Sequence, residues 1–323
     1  MVLPWQEPAW QLVTQRRDAG RLAHGLLLTS PIGTGAEQFA RELAGLLLAA
    51  ADSERGRTLL EAGTHPDLQL LEPPEPGKAI KVESVRELIE FLNLTPQYGD
   101  LKVAIILAAE AMNRHAANSL LKTLEEPPAH SQLVLVSHQP ALLPVTIRSR
   151  CQKLELTPRT GPDTEAWVRE QVTDSQADPR LLLAIAGQAP LTACELAGEE
   201  GLTLRNRVLD DLTALDEKNR DVVSLTEQWN KLGVQAVHEW LYRLCTDFVR
   251  CRLLGPSSLA NQDREEQISR LTAYRSLRQL IDYYDRTVNN QHLLTGPYSP
   301  NSAILLEDFI LHWQGLGTMN QER

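Results

Sequence analysis

Five consecutive apolar residues, Val103-Ala104-Ile105-Ile106-Leu107, constrain this chain more than any other stretch. A strand with one face in water alternates apolar and polar side chains. A strand that is apolar throughout is covered on both faces, as in a parallel sheet flanked by helices. His24–Thr29 and Gln132–Ser137 read as short apolar strands, Asp67–Leu71 is a further candidate, and Cys151–Leu156 alternates as a last strand. Between them the period turns helical. Phe39, Leu43, Leu46 and Leu47 line Ala36–Ala51, and Val85, Leu88, Ile89 and Leu92 line Glu83–Asn93. A third helix runs from an Asn113 N-cap to a stop at Pro127-Pro128, with Ala116, Ala117, Leu120, Leu121 and Leu124 on one face.

With 323 residues the chain exceeds what one hydrophobic core serves, so two or three domains are expected. The opening segment carries Trp5 and Trp10 as packing residues, with a short helix over Leu12–Arg21. After a boundary at Pro158–Pro162, three short helices fill Thr164–Glu200. An all-helical third follows, over Leu204–Leu215, Val222–Leu232, Val237–Leu254, Arg264–Asn290 and Ser302–Trp313, with loops at Asn289–His292 and Tyr298–Asn301. The division is thus 1–160, 161–201 and 202–323. A net charge of −10 argues against wrapping nucleic acid with the whole surface and favours protein partners. No run is long and apolar enough to span a bilayer, and Met1–Arg17 lacks a signal-peptide core, so a cytoplasmic chain is expected. Cys151, Cys194, Cys245 and Cys251 show no C-x-x-C spacing, which suits buried thiols and predicts no metal. His65, before Pro66, reads as structural.

Ser30-Pro31-Ile32-Gly33-Thr34-Gly35 joins a strand to a helix, the frame of a phosphate-binding loop. In G-x-x-x-x-G-K-[ST] the lysine meets the outer phosphates and the hydroxyl meets Mg²⁺. Here Ser30 stands at the first glycine, Gly35 is kept, Ala36 stands at the lysine and Glu37 at the hydroxyl. A carboxylate at that place repels a triphosphate. The residues alone leave two readings, the lapsed loop of an ATPase fold or an unrelated tight turn. The acidic pair that ends the neighbouring strand in such ATPases is also missing, since the apolar run ends in Leu107 and Ala108. Glu110, two residues on, reads as a solvated charge leading a helix.

Arg114–Pro128, R-H-x-x-N-x-L-L-K-T-L-E-E-P-P, and Leu143–Cys151, L-P-V-T-I-x-S-R-C, together resemble the bacterial clamp-loader family, the AAA+ subunits of the DNA polymerase III holoenzyme. Both motifs are long and correctly spaced, and the sharp part of the likeness ends by Pro190. Within the family the chain is most similar to the delta prime branch, whose own nucleotide site is degenerate. The likeness implies an AAA+ parallel-sheet domain, a small helical lid and a C-terminal helical collar that joins a hetero-pentamer. It places the Walker A lysine and hydroxyl on Ala36 and Glu37, the Walker B acids on Leu107 and Ala108, sensor 1 on Ser137 and sensor 2 on Pro190.

The arginine of S-R-C, flanked by Ser149 and Cys151, maps onto Arg150 and would complete the ATP site of a neighbouring subunit. Implied partners are gamma/tau ATPase subunits and a delta subunit, with the sliding clamp and primed DNA reached through the complex. The assembly is a DNA-directed DNA polymerase, a nucleotidyltransferase; no active site or cofactor of its own is expected in this chain, and ATP would be held by its neighbour. Family members usually carry a four-cysteine zinc module after the first helix, but Ala51–Gly63 contains no cysteine. The competing readings are an active gamma/tau-like ATPase with an atypical loop and a nucleic-acid-binding AAA+ protein outside replication. The first would have to replace three nucleotide contacts, and no recognition element supports the second.

Overall fold

A computed structural model describes residues 2–48, 54–75, 77–158, 161–172, 177–198, 201–217, 221–295 and 302–318. Two compact units result, one of Met1–Trp167 with Ala189–Leu191, the other of Val168–Gln188 with Thr192–Arg323. The expected edge at Thr160 and the loop at Tyr298–Asn301 lie outside the described residues.

In the first unit, β1 (Gly25–Thr29), β2 (Leu68–Leu71), β3 (Lys102–Ile106), β4 (Ser131–Ser137) and β5 (Gln152–Glu155) form one parallel sheet in the order β2-β3-β4-β1-β5. Its helices are α1 (Glu7–Asp18), α2 (Ala36–Leu48), α3 (Glu54–Glu61), α4 (Val82–Asn93), α5 (Arg114–Glu125) and α6 (Val145–Arg148). Because side chains alternate along a strand, the central strands supply two cores. Leu26, Leu28, Val103, Ile105, Val134 and Val136 meet α1 and α2 through Val13, Phe39 and Leu43. Leu27, Ala104, Ile106, Leu133 and Leu135 meet α4 and α5 through Val85, Leu88, Ala117 and Leu120. Each fully buried leucine stabilises this layer by about 1.5–3 kcal/mol. The edge strand β5 exposes Lys153 and Glu155, charges that discourage further strand pairing.

Boundaries in the first unit differ from the sequence expectation, two of them for a readable reason. The first helix starts at Glu7 rather than Leu12, because Pro8 in its first turn needs no N–H partner there. Strand β3 starts one residue before the apolar run, at Lys102, which is 1% exposed. Its ammonium lies 3.0 Å from Asp67 Oδ1 and 4.2 Å from the Phe91 ring centroid. Asp67, fully buried, also accepts from the N–H groups of Gln97 (2.9 Å) and Tyr98 (2.8 Å). Burial pushes the Asp67 carboxyl up, but these two N–H groups and Lys102 outweigh it and hold the carboxyl below its ordinary range.

Beyond the sheet, α7 (Pro162–Gln171), α8 (Pro179–Ile185) and α9 (Pro190–Leu196) are short. The second unit continues with α10 (Thr203–Asp216), α11 (Val222–Leu232), α12 (Val234–Leu254), α13 (Glu265–Ala273), α14 (Leu277–Thr295) and α15 (Ser302–Thr318). Leu241, Leu244 and Phe248 of α12 anchor a core with Trp229, Tyr283 and Trp313. The single helix expected over Arg264–Asn290 is broken at Tyr274–Ser276. There Arg275 turns inward to bond both carboxylate oxygens of Asp216 (2.7 and 2.6 Å) and to lie 3.8 Å from the Trp313 ring centroid. Ser276 and Gln279 then cap the new start reciprocally, a capping box legible as S-x-x-Q. The loop expected at Asn289–His292 is instead helical. Tyr283, Thr287 and Asn290 share the inward face of α14, so polar residues there continue a buried stripe.

Removing one partner of a buried ion pair leaves the other charge uncompensated. Lys102→Met is therefore expected to destabilise the first unit by about 3–5 kcal/mol in urea titrations at neutral pH. A carboxyl held low contributes stability above its unfolded pKa and loses it as pH falls through the folded value. The deficit of the variant should accordingly shrink below about pH 4, the range in which a free aspartate protonates.

Candidate functional site

Loop Ser30–Gly35 follows β1 at the C-terminal edge of the sheet, where a nucleotide would sit. Its carbonyls are held by the protein itself. Thr34 O accepts from Trp5 Nε1 (2.9 Å) and Gln6 Nε2 (3.1 Å), Gly35 O accepts from Gln6 Nε2 (2.8 Å), and Gly33 O accepts from the Leu191 N–H (3.0 Å). Gly35 has φ +83°, and a Cβ there would lie 2.4 Å from Leu3 Cδ1. Ala36 is buried at the start of α2, Glu37 is exposed, and Ser30 Oγ donates to its neighbour Pro31 O. Pro190, at the sensor 2 place, opens α9 immediately before Leu191.

The strand ends beside this loop offer no better ligands. Leu107 is buried, and its N–H goes to Leu71 O at 2.9 Å. Ala108 adopts φ +46°, a left-handed conformation that costs a residue with a side chain about 1–2 kcal/mol. Ser137 O accepts from the Ser30 N–H (3.3 Å), while the Ser137 hydroxyl is buried without a protein partner. Glu110 departs from its expected role as a solvated charge: its Oε1 accepts from the N–H groups of His138 (3.0 Å) and Gln139 (3.2 Å), fixing the chain after β4. Mg-ATP requires a cation at the loop and carboxylate oxygen at the metal. Ala36 supplies a methyl, Glu37 the wrong charge, and Leu107 and Ala108 no oxygen side chain. The residues present do not fit that group.

Arg150 occupies the other end of the sheet. Helix α5 begins as the sequence predicts, with Asn113 Oδ1 accepting from the Ala116 N–H at 2.8 Å. At its far end Leu124 O bonds His24 Nε2 (2.8 Å), and a Cβ on Gly25 would lie 2.9 Å from Leu124 Cδ2 and 3.7 Å from Arg150 O. The start of β1, the end of α5 and the Ser149–Cys151 turn therefore converge on one point. Ser149 caps α6, its Oγ donating to Thr146 O at 3.3 Å. Burial pushes the Cys151 thiol up to about 11, so it packs rather than reacts. Arg150 itself is exposed. Its Nε (2.9 Å) and Nη2 both donate to Glu125 Oε1, and its Nη1 donates to Thr146 O at 3.1 Å.

Sequence reasoning missed the parts played by Trp5, Gln6, Glu110 and Glu125. For the first two the signal was a pair of side-chain N–H donors placed just before the first helix, of which Trp5 was read only as packing and Gln6 was not singled out. His65, as expected, is structural, its Nδ1 accepting from the Asp67 N–H at 3.1 Å.

A five-stranded parallel sheet with a glycine loop after β1, helices on both faces and a separate helical unit define the AAA+ class. Two family models match the chain: DNA polymerase III, delta subunit, over residues 5–160, and DNA polymerase III, delta subunit, C terminal, over residues 199–315. DNA polymerase III subunit delta' of Pseudomonas aeruginosa is 32% identical, covering 98% of each chain. The subunit delta' of Escherichia coli is 29% identical over 95% of this chain and 94% of its own. DNA polymerase III subunit tau of Salmonella typhimurium is 31% identical over 65% of this chain but only 29% of its own. The chain belongs to the DNA polymerase III subunit delta' family.

If the loop is held by Trp5, Gln6 and Leu191 as well as stripped of its lysine, restoring consensus side chains will not restore binding. The double variant Ala36→Lys, Glu37→Thr is expected to show no saturable Mg-ATP binding by calorimetry, and micromolar binding would contradict this account.

Proposed function

We propose that this chain is a non-hydrolysing scaffold of the clamp loader that lends Arg150 in trans to the ATP site of a neighbouring gamma/tau-type subunit. It assembles with those ATPases and a delta subunit in a hetero-pentamer, acts in the cytoplasm, and reaches the sliding clamp and primed DNA through the complex. It keeps neither nucleotide nor zinc of its own. Among the described residues no helix is long and apolar enough to cross a membrane.

One observation carries the reading. Arg150 sits at the start of β1 and the lapsed loop at its end, five residues away, or roughly 16 Å at strand rise. An arginine side chain there cannot reach its own loop, yet it stands exposed. A guanidinium supplied in trans stabilises charge on a transferring phosphoryl group, and its planar fork has no equivalent in lysine.

Arg150→Ala should leave folding and assembly intact and lower hydrolysis at the dependent site on the order of a thousandfold, with Arg150→Lys no better than partial. Single-turnover hydrolysis by complexes reconstituted from the full chain and its ATPase partners measures this. An unchanged rate would refute the role.

A further inference from the structure

We propose, resting on the trans role of Arg150, that Glu125 is the positioning residue for that arginine. A guanidinium has five N–H donors. Three are engaged within the chain: Nε and one Nη2 hydrogen by Glu125 Oε1, and one Nη1 hydrogen by Thr146 O. One N–H remains on each terminal nitrogen. Those two N–H groups are available to phosphate oxygens. Glu125 therefore grips the Nε edge of the group while leaving a donor on each terminal nitrogen, and it orients the arginine before a substrate arrives.

A second observation separates this role from a structural one. Glu125 is the last residue of α5, where the helix dipole disfavours a carboxylate, and its side chain is half exposed. Helix stability gives no reason for an acid there. Among the described residues its side-chain hydrogen bonds go to Arg150. The groups that fix the local backbone, His24, Gly25 and Leu124, do not depend on the carboxylate.

The test uses the full chain reconstituted with its ATPase partners, comparing wild type, Glu125→Ala, Glu125→Gln, Arg150→Ala and the Glu125→Ala, Arg150→Ala double variant. Misplacing a transition-state group by about an ångström costs up to a hundredfold. Glu125→Ala is expected to lower kcat at the dependent site on the order of ten- to a hundredfold with KM unchanged and melting temperature not reduced. Glu125→Gln, which keeps an accepting oxygen, should retain most activity. In the Arg150→Ala background the Glu125 substitution should add nothing. The inference is overturned if Glu125→Ala matches or exceeds wild type while Arg150→Ala is defective, or if its defect persists without Arg150. An unimpaired Arg150→Ala complex would instead remove the trans role itself.

Discussion

The turn that carries Arg150 is packed against Gly25 at the start of the first strand. At that point the first strand, the end of the central helix α5 and the turn carrying Arg150 converge, and a Cβ on Gly25 would lie 2.9 Å from Leu124 Cδ2, so that side chain would have to shift. Leu124 and Cys151 fill the gap from two sides, both in the same buried core. The arginine consequently rises from a rigid base rather than from a free loop. That base is tied to the sheet by the His24 bond to Leu124 O.

The same strand separates two opposite outcomes. At its C-terminal end a loop shaped for phosphate is held by Trp5, Gln6 and Leu191, its cationic position is a buried alanine, and the adjoining strand ends in a leucine and a left-handed alanine. At its N-terminal end a guanidinium stands exposed with two donors to spare.

Much of the fold was legible because burial on both faces writes itself into composition. Val103–Leu107 and the helical stripes of α4 and α5 could hardly be read otherwise. Errors occurred where polar groups do core work. Lys102, Arg275, Thr287 and Asn290 are all buried, and a hydrophobic period does not register them, so a strand start, a helix break and a helix continuation were displaced. At the candidate site, motif spacing located the loop before α2 and the turn that carries Arg150. Contacts that cross the chain left no local pattern: the hold of Trp5 and Gln6 on the loop, Glu110 on the turn after β4, and Glu125 on Arg150. Spacing reports neighbours along a helix or strand, whereas these pairs lie some 25 to 29 residues apart.

The central claim is that one chain lends an arginine while its own loop stays closed to nucleotide. A structure of the assembled complex trapped with a non-hydrolysable ATP analogue tests it most directly. The account predicts the Arg150 guanidinium within hydrogen-bond distance, about 3 Å, of the analogue's terminal phosphate on the adjacent subunit, and no analogue at Gly33–Glu37 of this chain. Nucleotide bound in this chain's loop, with Arg150 remote from any phosphate, would contradict it.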